Sequence, residues 1–92
     1  MTPELSERAV LLDEVRALVV ERLRLSRLPH QVDPDAPLFG AGLGLDSVDA
    51  VELVVAIEER LGVDLPDGVH ARVVLRTPNR IVDHVLAMRN RE

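Results

Sequence analysis

The sequence contains no cysteine, tryptophan, tyrosine or lysine, and a single phenylalanine, Phe39. Without cysteine there is no disulfide framework, no thiolate metal site and no thiol nucleophile. With one aromatic residue the core must be aliphatic, which suits a helical bundle better than a β-sandwich. The N-terminal Met-Thr-Pro-Glu lacks a basic region, and no uninterrupted apolar segment follows it. Neither a signal peptide nor a membrane span is therefore expected, and a cytoplasmic location is. Catalytic patterns are missing too. Val48-Asp49 follows Ser47, so there is no Gly-x-Ser-x-Gly elbow. His30, His70 and His84 share no ligand spacing, and Asp33 and Asp35 do not make an EF-hand loop. Neither an enzyme nor a metal site is expected.

What is present is one small domain's worth of chain: 92 residues, 47% of them apolar, with a net charge of −5. The charge is unevenly placed. Between Asp46 and Asp67 seven acids stand against Arg60 alone, a local charge of −6. Such a face suits a basic protein partner and repels nucleic acid. By contrast, no acid occurs from Gly68 to Val82, where His70, Arg72, Arg76 and Arg80 lie. This run is expected to form a second face of opposite sign that selects partners, unless its arginines pair with Glu58, Glu59 or Asp67.

Along the chain, Leu11, Leu12, Val15, Leu18, Val19 and Leu23 repeat at helical spacing. They predict a first helix over about residues 5–26, opened by Thr2-Pro3 or Ser6 and limited by Pro29. From Pro29 to Asp46 three prolines and three glycines mark a long loop, with Leu38, Phe39 and Leu43 available to pin it to the core. A second helix is predicted from Ser47 to about Leu61, ended by Gly62. Asp67 is the next candidate cap. Val69–Arg76 reads as a short, imperfect third helix, since Val73-Val74-Leu75 has no second strand to pair with. Thr77-Pro78 opens a fourth, with Ile81, Val82, Val85 and Leu86 inward.

The second helix has two apolar stripes. At roughly 100° per residue, with Val48 at zero, Ala50, Leu53, Val54, Ile57 and Leu61 fall within roughly 140–240° and form a core face. Val48, Val51 and Val55 cluster at roughly 300–360°, with Asp49, Glu52 and Glu59 on one side and Glu58 on the other. An apolar strip rimmed by carboxylates suits protein docking. Asp46 is a good N-cap, and Asp49 is placed to reach back as in a capping box. Ser47 stands at the junction, with its hydroxyl outward. It is either a reactive hydroxyl beside a docking strip or part of the helix cap.

Gly44-Leu45-Asp46-Ser47-Val48-Asp49, followed by Val51-Glu52-Leu53-Val54 and Glu58-Glu59, resembles the acyl carrier protein family. Leu38-Phe39-Gly40 upstream and Val63-Asp64-Leu65-Pro66-Asp67 downstream extend the likeness over about Leu5 to Met88. The resemblance implies an all-α four-helix bundle of acyl-carrier type, a single domain over residues 1–92 with its core at about 5–88. It also implies that Ser47 carries 4'-phosphopantetheine, covalently attached from coenzyme A. Asp46, Val48, Asp49, Val51, Glu52, Val55 and Glu58 would then form the docking surface. The implied partners are a phosphopantetheinyl transferase and a ketosynthase, acyltransferase or acyl-activating ligase, met by a monomeric carrier.

Asp before Ser resembles acyl carriers, whereas peptidyl carriers more often show Gly-Gly-His-Ser. Gly40-Ala41-Gly42 replaces acids common in housekeeping carriers, and the third segment is longer and more basic. The full Leu-Phe-Gly-Ala-Gly-Leu-Gly-Leu-Asp-Ser string (residues 38–47) resembles more closely the discrete carriers of specialised lipid or polyketide pathways. An unmodified interaction module of the same fold, or a peptidyl or aminoacyl carrier, is the alternative.

Overall fold

The computed structural model describes residues 3–39, 46–66 and 69–90. These form four α-helices: α1 (Pro3–Arg22), α2 (Ser47–Leu61), α3 (Val69–Val74) and α4 (Pro78–Arg89), with one 3-10 turn at Pro29–Gln31. No β-strand occurs among the described residues, and the predicted bundle of three main helices and one short one is the observed architecture. Thr2, Leu43 and Asp67, named above as caps or packing residues, lie outside the described residues.

α1 contributes Leu11, Val15, Leu18 and Val19 to the core, α2 Leu53, Ala56, Ile57 and Leu61, and α4 Ile81, Val82 and Val85. Leu12 and Leu23 are half-buried at its edge. All of these are aliphatic, as a chain with one aromatic requires. Phe39 packs partly buried against this cluster, while its neighbour Leu38 is fully enclosed.

α1 ends at Arg22 rather than near residue 26. The Arg24 N–H donates to Glu21 O at 3.3 Å and the Leu25 N–H to Val20 O at 3.0 Å. With Arg24 at φ 53°, these are the paired bonds of a Schellman motif. Glycine is the usual residue for the left-handed position, so an arginine there gave no stop signal. Leu25, next in sequence, folds back onto the core. The third helix is likewise shorter than expected and stops at Val74, although Leu75 N and Arg76 N still bond to Ala71 O and Val73 O.

Arg60 pairs with Glu21 at 3.3 Å and Arg22 with Glu59 at 3.6 Å, so the C-terminal turns of α1 and α2 lie side by side. α2 has 15 residues, a length of about 22 Å at 1.5 Å per residue. After leaving α1 the chain must travel that distance before α2 can start, which accounts for the long first loop.

The loop is tied down by more than its apolar residues. Val32 is buried, and its carbonyl accepts from Arg16 Nε at 2.8 Å. The Leu38 N–H donates to Arg76 O at 2.9 Å. Asn79 is the main fastening: its backbone N–H donates to Pro34 O at 2.9 Å, and its side chain donates to Asp35 Oδ1 at 2.7 Å and accepts from Arg8 Nη2 at 3.2 Å. Arg8 also pairs with Asp83 at 2.7 Å, joining α1, the loop and α4 at one point. Asn79→Ala is expected to cost about 1–2 kcal/mol, measured as a thermal midpoint lowered by several degrees.

Candidate functional site

The site is built at the start of α2. Asp46 is the N-cap, with φ −107° and ψ −174°, and its Oδ1 accepts from the N–H groups of Val48 and Asp49, both at 3.0 Å. Asp49 Oδ2 in turn accepts from Asp46 N–H at 3.0 Å. The expected capping box is present, with aspartate in the place glutamate usually takes. Gly62 closes the helix in the left-handed region at φ 67°, its N–H bonded to Glu58 O.

This arrangement separates Ser47 from the cap. A serine that merely caps a helix sits one position earlier and accepts from the third N–H. Here Asp46 fills that role, and Ser47 is the first helical residue, exposed to solvent. Its hydroxyl is not required to start the helix.

The apolar strip beside it is exposed as the angular arithmetic requires: 67% at Val48, 64% at Val51 and 42% at Val55. Glu52 and Glu59 are exposed, and Asp49 and Glu58 half-buried. The core face is turned further than the sequence reading placed it. Ala56, at roughly 80° and among the acids, is fully buried, whereas Ala50 and Val54 are only half-buried. Ala56 and Leu18 border the shallow cleft between α1 and α2, and a small side chain there lets the helices approach.

Two further acids that rim the strip have structural partners. Glu59 is paired with Arg22, as above. Glu58 turns to the connector after α2, where its Oε2 accepts from Leu65 N–H at 3.1 Å. The histidines stay outside the site: His30 and His70 are exposed, and His84 Nε2 lies 2.9 Å from Asp64 O. Glu58→Gln keeps an acceptor for Leu65 and removes only charge, whereas Glu58→Ala orphans that N–H. The alanine variant is expected to lose about 1 kcal/mol more stability than the glutamine variant in urea unfolding.

A family model described as "Phosphopantetheine attachment site" matches residues 13–85, most of the chain. Acyl carrier proteins from three organisms match at comparable length. That of Helicobacter pylori (strain ATCC 700392 / 26695) is 38% identical over 64 residues, covering 70% of this chain and 78% of the relative. That of Sulfurovum sp. (strain NBC37-1) is 46% identical over 57 residues, 62% and 72% of the two chains. That of Thermosynechococcus vestitus is 36% identical over 75 residues, 82% and 86% of the two. The chain belongs to the acyl carrier protein family. It is accordingly a carrier and not a catalyst, and its prosthetic group is 4'-phosphopantetheine.

The start of α2 suits such a group by access, since the carrier exposes an alcohol on a rigid element. It suits it less by charge than a bare helix N-terminus would. The N–H groups of Asp46, Val48 and Asp49, which could have cradled an anion, are already bonded to two carboxylates. The helix end therefore offers few donors to a phosphodiester, and the adjacent Asp46 and Asp49 repel it. Among the described residues no helix of the carrier is long and apolar enough to cross a membrane.

Proposed function

We propose that Ser47 is the attachment point of 4'-phosphopantetheine and that the carrier delivers acyl groups to fatty-acid or polyketide-type biosynthetic enzymes. One observation carries this reading: Asp46, not Ser47, caps α2, which leaves an exposed hydroxyl beside an apolar strip rimmed by carboxylates. In the attachment step Ser47 Oγ bonds to the phosphorus that bears pantetheine in coenzyme A. The phosphoanhydride bond breaks, adenosine bisphosphate leaves, and the serine proton passes to a base of the transferase. When bound, the group supplies a thiol on which acyl groups are held as thioesters.

The chain's own residues have two further roles. Asp46 and Asp49 hold Ser47 at a fixed position and, by repelling the phosphodiester, keep the arm off the protein surface. Val48, Val51 and Val55 give the transferase and later the ketosynthase, acyltransferase or acyl-activating ligase an apolar seat, while Asp49, Glu52 and Glu58 orient the approach. A flexible arm on a docked carrier raises the effective concentration of its cargo at each enzyme. The acid-free segment after α2 supports a specialised rather than a housekeeping pathway. Intact mass after incubation with coenzyme A and a promiscuous phosphopantetheinyl transferase tests the reading. A chain that never gains the phosphopantetheine mass is an unmodified interaction module instead.

A further inference from the structure

The carrier has a second charged face, of opposite sign to the strip on α2. Along α3 and the first turn of α4, His70, Arg72, Arg76 and Arg80 are exposed, and Val73 between them is 48% exposed. Elsewhere among the described residues Arg8, Arg16, Arg22 and Arg60 each lie against a carboxylate, whereas the exposed Arg24, Arg27 and Arg89, more scattered, do not. Arg72, Arg76 and Arg80 have no such partner among the described residues. Two acids that could have neutralised them are engaged: Glu59 by Arg22 and Glu58 by the Leu65 N–H.

Arg80 adds an independent sign. It is the third residue of α4, where its N–H donates to Thr77 Oγ1 at 3.1 Å. Glutamate or glutamine there would complete a capping box, and the helix dipole favours a negative side chain. An arginine at that position opposes the dipole and leaves the box half made. Local stability would be better served by the opposite charge.

We propose that Arg72, Val73, Arg76 and Arg80 form a second docking ridge, the electrostatic inverse of the strip on α2. The charge assigns its occupant: an acidic rim around an apolar depression on an enzyme partner. Such an enzyme would be basic where it meets α2 and acidic where it meets α3. A uniformly basic enzyme would be repelled at the ridge, which confines the carrier to its own pathway. The inference rests on the carrier reading for the partner's identity, but the ridge can be measured without it.

The experiment titrates nitrogen-15-labelled full-length carrier with a helical peptide of glutamate flanking leucine, and with its mirror in which lysine replaces glutamate. Amide shifts from the glutamate peptide are expected in residues 70–82, and those from the lysine peptide in 46–59. Arg72→Glu/Arg76→Glu should weaken the first interaction about tenfold and leave the second. Arg80→Glu should weaken it as well while raising the thermal midpoint, a combination that a purely structural arginine would not give. Glutamate-peptide shifts centred on Arg24 and Arg27, or unchanged affinity in folded variants, would overturn the ridge. Self-association of the wild type that the double variant abolishes would make a second copy the occupant and overturn the enzyme partner. Intact mass of the same samples reads the Ser47 attachment separately, because the titration also works on the unmodified chain.

Discussion

Ser47→Ala is expected to abolish phosphopantetheine loading completely while leaving the fold as stable as the wild type. Both halves follow from the cap. The hydroxyl is the only atom of that side chain able to form the phosphodiester, so the loss is all or none. The helix start depends on Asp46 and Asp49, whose bonds at 3.0 Å the substitution does not touch. A change at an exposed site free of such features shifts stability by less than about 0.5 kcal/mol. Asp46→Ala should do the reverse in stability, costing about 1–2 kcal/mol by removing the cap. The measurements are intact mass after transferase treatment and thermal melting by circular dichroism. If Ser47→Ala gains mass as the wild type does, the attachment lies elsewhere.

The second large effect is expected at Val51→Asp. Val51 lies mid-strip at 64% exposure, so in a docked complex an aspartate there must lose water without gaining a partner. The forfeited apolar burial is about 1.5 kcal/mol, and desolvation of the new charge adds to it. A fall in kcat/KM for the transferase of on the order of tenfold or more is expected. Glu59→Gln is the comparison. Its carboxylate lies at the edge and already pairs with Arg22 at 3.6 Å, a surface pair contributing about 0–1 kcal/mol. Little change in rate should follow. Equal losses in the two variants, both folded, would remove the valine strip from the docking surface.

The parts of the site legible in the sequence are those whose chemistry is local. Asp46, Ser47, Asp49 and Gly62 define α2 within one turn of themselves, and the helical period alone places three valines outward. The unread parts have partners that are remote or misleading. Arg24 ends α1 in a conformation for which glycine is the usual signal, so the prediction ran on toward Pro29. Ala56 falls among carboxylates on a helical projection, and only the approach of α1 makes it core. Glu58 looked like a free rim charge because its partner is a backbone N–H seven residues further on. The fastening at Asn79 was invisible for the same reason, since Arg8 is 71 residues away and Pro34 lies in an irregular loop.

That fastening has a consequence for how the carrier comes into being. Individual helices form from local contacts within microseconds, but the joint of α1, loop and α4 closes a separation of 71 residues. On a ribosome it cannot close until Asn79 and Asp83 have emerged. α2, with Ser47 on it, emerges well before that joint can close. The native bundle is therefore completed only after the start of α4 has emerged.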